Sequence, residues 1–331
     1  MNQRLEYIDC MRGIAMLMVV YCHVEGFCFN LKWPEIIASA ISVPMLSNFF
    51  FISGLFTPPL LSYRHLKARV LYLMLPTVAM FLLYVGAYYG NYVKLMDCVS
   101  DEYKWGYWFT FVLFLMNVIH YLVSIGLGKC EIQRKTIILL PLAILAMLLH
   151  VLKHWDWHYN GAFYCRWMCL HLLAMYFPYY VLGLACGLFR SKWHRVIDNE
   201  WITGAAVIIF VGMRIFLYGG SSFRTSISGV LGIFLLYKYC FTYREVFSEA
   251  TFIGRQLSLI GRHTLHIYLI HYFFFTGLKM PWVGEQLNPA SQWWLIALIS
   301  AMMTLVVVYS SLMVRKILSI SAPLYRVLLG K

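Results

Sequence analysis

Charge is scarce in this sequence. Lys, Arg, Asp and Glu make up 12% of its 331 residues, and apolar residues make up 61%. A soluble domain carries about 25% and about 45–50% respectively. No soluble fold of this length can hide that much apolar surface, so the solvent is lipid. Zinc-type cysteine pairing is also missing. The nine cysteines contain no C-x-x-C pair and no run with His at zinc-ligand spacing, and Cys165 and Cys169 stand four apart with no second pair. No metal site is expected. Most thiols lie inside apolar runs and read as small core residues. Cys98 and Cys165 fall outside those runs, which leaves one disulfide open. No small-x-small cleavage site follows the first apolar run, which continues through Phe27 and Phe29. It therefore reads as an uncleaved span and not a signal peptide. There is no repeat of fixed period, no low-complexity linker and no expected soluble appendage, so residues 1–331 read as one integral-membrane domain. The net charge of +13 does not mark a nucleic-acid binder, because the Lys and Arg residues sit in short loops between apolar spans.

What is there is a series of apolar stretches near 10–29, 36–60, 70–90, 106–127, 136–152, 167–189, 201–218, 226–243, 264–280 and 292–314. A helix needs about 20 residues to cross the hydrocarbon core. The expected fold is all-α, a polytopic bundle of about ten transmembrane helices. With the N-terminus inside, the inner segments hold eighteen Lys and Arg residues and the outer ones eight, Lys238 being ambiguous. That bias places both termini in the cytoplasm. The longest polar connection, 244–263, lies inside and reads as a short interfacial helix.

The first span raises a question of its own. In "IDCMRGIAMLMVVYCHVEGF", Arg12 and His23 bracket ten nearly all apolar residues. Eleven steps at ~100° come within ~20° of three full turns, so both side chains share a face, about 16 Å apart along the axis. Arg12 then sits at the cytoplasmic mouth and His23 past mid-membrane. One cleft can hold a long ligand with its charged end at Arg12 and its reactive end at His23. The plainer reading of Arg12 is a guanidinium snorkelling to headgroups. For His23 the functional reading is stronger, because hydrocarbon offers an imidazole no water. Asp9 is placed to pair with Arg12, and Glu25 falls on another face near the outer end, where headgroup contact is the default.

The motif "YIDCMRGIAMLMVVYCH" resembles the first span of the acyltransferase-3 family of integral membrane acyltransferases, with its Arg, ten residues and His. Further stretches agree in order and spacing. "FFFISGLF" (49–56) looks like the family's Phe-Phe-x-x-Ser-Gly element, and "KARVLYLMLP" (67–76) like its basic stretch, with Arg69 seven residues before Pro76. "YWFTFVLFL" (107–115) and "GRHTLHIYLIH" (261–271) match its fourth-span and closing elements. Tyr72 stands where a second basic residue is common, and Asn48 is inserted among the aromatics.

The resemblance implies transfer of an acyl group, usually acetyl, from cytoplasmic acyl-CoA to a hydroxyl of a lipid-linked or surface carbohydrate. The expected location is the plasma membrane of a bacterial cell, and the partners are acyl-CoA, a carbohydrate or glycolipid acceptor and the bilayer. Arg12, Arg69 and Arg262 would hold donor phosphates through charge-assisted hydrogen bonds. His23 would take the proton from the attacking hydroxyl. His271, about seven residues into its span, is a second candidate for orienting His23 or binding donor, with a structural hydrogen bond as the alternative. His266 is off the motif position. Ser53 would donate to the thioester carbonyl, or its Ser-Gly pair simply lets backbones approach. In the outer segments 101–108 and 154–167, Trp155, Asp156 and Trp157 would form an acceptor mouth, against the plainer reading of an interfacial aromatic belt.

Two other functions fit an intramembrane Arg and His. A transporter or flippase of a glycan or lipid precursor would use them on a substrate path, but the inverted repeats common in that class are not visible. An intramembrane Ser–His protease lacks its Gly-x-Ser-Gly here.

Overall fold

The computed structural model of the chain describes residues 5–30, 35–88, 92–129, 136–152, 163–215, 222–287 and 293–330. Among these the α-helices are α1 (Glu6–His23), α2 (Glu35–Leu55), α3 (Tyr63–Arg69), α4 (Leu75–Tyr88), α5 (Tyr92–Ser100), α6 (Trp108–Lys129), α7 (Leu139–Leu152), α8 (Phe163–Trp167) and α9 (Leu170–Leu188). They continue with α10 (Arg190–Asp198), α11 (Glu200–Ile215), α12 (Ser222–Thr242), α13 (Phe252–Arg262), α14 (Thr264–Gly277), α15 (Pro281–Leu287), α16 (Trp293–Leu318) and α17 (Ala322–Leu329). No strand occurs among the described residues.

Among the described residues, each apolar stretch of the sequence is largely helical, because in lipid each backbone N–H and C=O must find its partner within the segment. Six stretches are long and apolar enough to cross a membrane: Glu6–Cys28, Tyr63–Tyr88, Trp108–Gly128, Leu170–Leu188, Thr225–Thr242 and Trp294–Leu318. A seventh is reached if α10 and the 200–213 part of α11, bent by 74° at Asn199, count as one. Met45–Leu55 and α7 are shorter apolar helices. Outward-facing Leu140, Ile208 and Met302 are each more than 60% exposed. Such surface suits a lipid solvent and not water.

The chain divides into two compact units, 1–49 with 194–318, and 50–193 with 319–331. In the first unit α1 packs against α12, α13, α14 and α16. Its crossing with α13 is close because neither helix carries a side chain at the contact. A Cβ on Gly261 would overlap the Asp9 carbonyl oxygen, and one on Gly13 would overlap that of Leu257. The polar connection folds as expected into a helix, α13, whose N-terminus is capped by Thr251 Oγ1 accepting from Gly254 N at 2.9 Å. Its Phe252 and Ile253 face outward.

In the second unit the last turns of α2 lie against α9. Gly54 meets the backbone of Tyr180 and Leu184, and Gly183 and Gly187 meet that of Phe51 and Leu55. The Ser-Gly element therefore serves backbone approach. Phe50 and Trp108 both stack on Tyr176, with centroids 5.0 and 5.4 Å away. The connection after α2 is tied down by buried His120 on α6. Its Nε2–H donates to the Pro59 carbonyl at 2.8 Å, so Nδ1 accepts from the Tyr180 hydroxyl at 2.9 Å. Cys98 and Cys165 are both free thiols, so the disulfide left open by the sequence is not formed.

Candidate active site

Arg12 and His23 lie on one uninterrupted helix, α1, with His23 as its last residue. The next five residues, Val24–Cys28, form a π-helical turn. A π-turn inserts extra backbone per turn and re-aims the side chains that follow; such turns are frequent at functional sites. One result is that Glu25 is 2% exposed, a buried carboxyl joined to the Tyr21 phenol by a hydrogen bond. The sequence had placed Glu25 among headgroups; the π-turn carries it inward.

His23 sits in a ring of aromatic side chains. Phe27, from the π-turn, and Phe275, from α14, meet it edge-on with centroids at 5.4 and 5.9 Å. His271 lies parallel to it, centroids 5.4 Å apart and planes inclined by 7°. Tyr272 reaches it with its hydroxyl, Oη standing 2.9 Å from His23 Nε2. The structure thus brings together the first and last of the family-like motifs, through residues 249 apart in the chain.

His271 is fully buried. Its Nδ1 lies 3.0 Å from the Ile267 carbonyl oxygen and 2.7 Å from that of Tyr268. Carbonyls only accept, so Nδ1 carries the hydrogen. Nε2 is then the acceptor atom of the ring, and it is buried with no hydrogen-bond partner among the described residues. A buried polar atom left without a partner costs about 1–3 kcal/mol. Such a cost points to a ligand group as its natural partner.

At the other end of α1, Arg12 Nη1 lies 3.5 Å from Asp9 Oδ1, as the spacing suggests, with its side chain 31% exposed. Arg262 is committed differently. It pairs with Glu249 at 3.3 Å, and the Ser258 hydroxyl donates to the same carboxylate at 3.0 Å. Glu249 N in turn donates to Glu6 Oε2 at 2.8 Å. Arg262 is therefore part of a network that fixes α13 to the start of α1.

Ser53 and Arg69 belong to the second unit. Ser53 is half-buried, and its carbonyl accepts from Thr57 Oγ1 at 2.6 Å. Arg69 ends α3 just before a second π-turn, Val70–Met74. It makes no ion pair among the described residues. Trp155, Asp156 and Trp157 lie outside the described residues. In the neighbouring segment 101–108, Trp108 is buried, and Lys104 turns inward to donate to the Val99 carbonyl at 2.9 Å and the Asp101 carbonyl at 3.3 Å. Burial holds the Lys104 ammonium below its ordinary range, and burial with Asp101 nearby raises the Glu102 carboxyl. No group of three or more His, Cys, Asp and Glu placed to hold a metal occurs among the described residues.

Sequence reasoning missed Tyr272, the π-turn and the burial of Glu25. The only local signal for Tyr272 is its place directly after His271 in "LIHYFFF".

Compared with known families, the chain matches the model of an acyltransferase domain over residues 5–313. No curated protein and no solved structure matches it.

Proposed function

The chain belongs to the acyltransferase-3 family, and on that premise we propose that it is a membrane O-acyltransferase moving an acyl group, acetyl in the first instance, from cytoplasmic acyl-CoA to a carbohydrate hydroxyl. The observation that carries the reading is the placement of Arg12 and His23 on one continuous helix, with His23 enclosed by His271 and Tyr272. Acyl-CoA is long, polyanionic at one end and reactive at the other. About 16 Å of helix separates a charged anchor from a base, which matches a ligand of that form.

In the proposed reaction the acceptor hydroxyl oxygen attacks the thioester carbonyl carbon while His23 takes its proton. The tetrahedral intermediate then collapses, the C–S bond breaks, and the departing sulfur takes the proton from the imidazolium. The products are an ester and free CoA, and His23 returns to its starting state. Arg12 anchors donor phosphate, and the buried acceptor nitrogen of His271 receives a donor hydrogen of the substrate, such as a pantetheine amide N–H or a sugar hydroxyl. Arg262 contributes to the field at that end from within its pair with Glu249. Arg69 and Ser53 enter the proposal from the resemblance alone, as do Trp155, Asp156 and Trp157 as acceptor-binding residues.

The proposal includes ten spans with both termini cytoplasmic. The six long spans, the bent α10–α11 pair, α2, α7 and α14 make up that number, and the eighteen-to-eight division of Lys and Arg supports the orientation. A bacterial plasma membrane and a cell-surface or lipid-linked glycan acceptor follow from the same reading.

The test is thiol release by the purified protein in nanodiscs, supplied with acetyl-CoA or succinyl-CoA and a crude glycolipid extract. Acceptor-dependent release of CoA is expected. Absence of both acyl-CoA binding and CoA release with either donor would move a transport function to the front.

A further inference from the structure

We propose that Tyr272 is the positioning residue of this site and that Nδ1, not Nε2, is the atom of His23 that takes the proton. The inference rests on His23 being the general base.

A histidine base in an enclosed site needs something to hold one nitrogen so that the other is aimed. The usual holder is a carboxylate or a backbone carbonyl. Here His23 Nε2 has neither, and its hydrogen-bond partner among the described residues is the Tyr272 hydroxyl at 2.9 Å. His271 is the partner the sequence suggests, but it forms no hydrogen bond to His23 among the described residues. The two imidazoles lie with centroids 5.4 Å apart, and His23 bonds Tyr272 while His271 bonds backbone carbonyls. The hydrogen on His271 is moreover committed to the Ile267 and Tyr268 carbonyls. His271 packs beside His23, and the hydrogen bond that holds His23 comes from Tyr272.

The other nitrogen of His23, Nδ1, makes no hydrogen bond among the described residues. It is also absent from the sealed, partnerless polar atoms that include His271 Nε2, so it is open to an incoming group. One nitrogen is tied and the other reachable. In the productive tautomer the Nε2–H donates to the phenol oxygen and Nδ1 carries the lone pair. The acceptor's proton moves to Nδ1 as the C–O bond forms. Nε2–H then becomes a charged donor, and its bond to the phenol strengthens at the moment positive charge develops. When the C–S bond breaks, the sulfur takes the proton from Nδ1. Tyr272 gains and loses nothing. It supplies orientation and a dipole where other histidine bases use a carboxylate, and it does so without bringing a second full charge into the membrane.

The test uses the full-length protein in nanodiscs and two variants. Tyr272→Phe removes the hydroxyl and keeps the ring that packs on His23 and Phe275. A kcat lower by ~10–100-fold with KM for acyl-CoA within about 2-fold of wild type is expected, since the lost interaction matters only as charge develops. A variant that was merely unfolded or repacked would lose donor binding as well. The second variant places Nδ-methylhistidine at position 23, which blocks Nδ1 and leaves Nε2, facing Tyr272, as the ring's sole basic nitrogen. It is expected to bind donor and to transfer nothing. Unchanged kcat in Tyr272→Phe, or turnover by the Nδ-methyl variant, overturns the proposal while the enzyme reading stands. No transfer by wild type itself removes the enzyme reading and this proposal with it, and that failure is recognised because wild type and variants are then alike.

Discussion

At the scale of single residues, Arg12 and His23 lie on one helix, and the proposed function gives binding to the first and chemistry to the second. Arg12→Ala is expected to raise KM for acyl-CoA about 10-fold or more, the loss of a charge-assisted contact, with a smaller change in kcat. His23→Ala is expected to leave donor binding in place and to lower kcat by about 10²–10⁴-fold, the usual contribution of a general base. Steady-state kinetics with a donor-binding assay separates the two. That the two share one helix was legible in the sequence because helical spacing is periodic, and so was the Asp9–Arg12 pair. Tyr272 was not. Its contact with His23 joins residues 249 positions apart, and a tyrosine among phenylalanines in an apolar span carries no local mark. The partner of Arg262 was not legible either: a basic residue at a motif position reads as a phosphate ligand, and its ion pair with Glu249, thirteen residues away in the same connection, leaves no mark in the sequence.

At the scale of elements, the family-like motifs prove to be packing motifs as much as chemical ones. The glycine after Arg12 and the glycine before Arg262 are where α1 and α13 touch. Gly261→Ala is expected to destabilise the protein by about 1–3 kcal/mol through overpacking against the Asp9 carbonyl, seen as a lower thermal midpoint in detergent. Gly204→Ala on α11 is the control, because a Cβ there meets nothing within 4 Å. It is expected to be neutral or slightly stabilising, as alanine is the better helix former. Lys104→Met tests a different element, the segment before α6. Losing the ammonium leaves the Val99 and Asp101 carbonyls short of a donor, at a cost of about 1–3 kcal/mol. Helix positions were legible because apolar runs in lipid have one backbone solution. The π-turn at Val24–Cys28 was not, since "VEGFC" continues the apolar pattern almost unbroken. The inward turn of Glu25 follows from that turn and was hidden with it.

At the scale of the whole molecule, composition alone requires lipid, and the family fixes the kind of chemistry. Six stretches are long and apolar enough to cross a membrane. The further four in the proposed ten rest on α2, the short helices α7 and α14 and the bent α10–α11 pair, and hydropathy reads the last three as full spans because it counts apolar residues and not helix length or direction. The charge bias predicts that a reporter fused after residue 331 is cytoplasmic and that one placed at Lys104 is external. A C-terminal reporter found outside would mean an odd number of crossings and would move Arg12 or the last helices to the other side.

The most direct measurement follows labelled acetyl from acetyl-CoA in a single turnover, with wild type and His23→Ala reconstituted in nanodiscs beside a glycolipid acceptor. Wild type is expected to move label onto the acceptor, and the folded variant to bind labelled donor and move none. Label transfer by His23→Ala at the wild-type rate would contradict the assignment of His23 as the base.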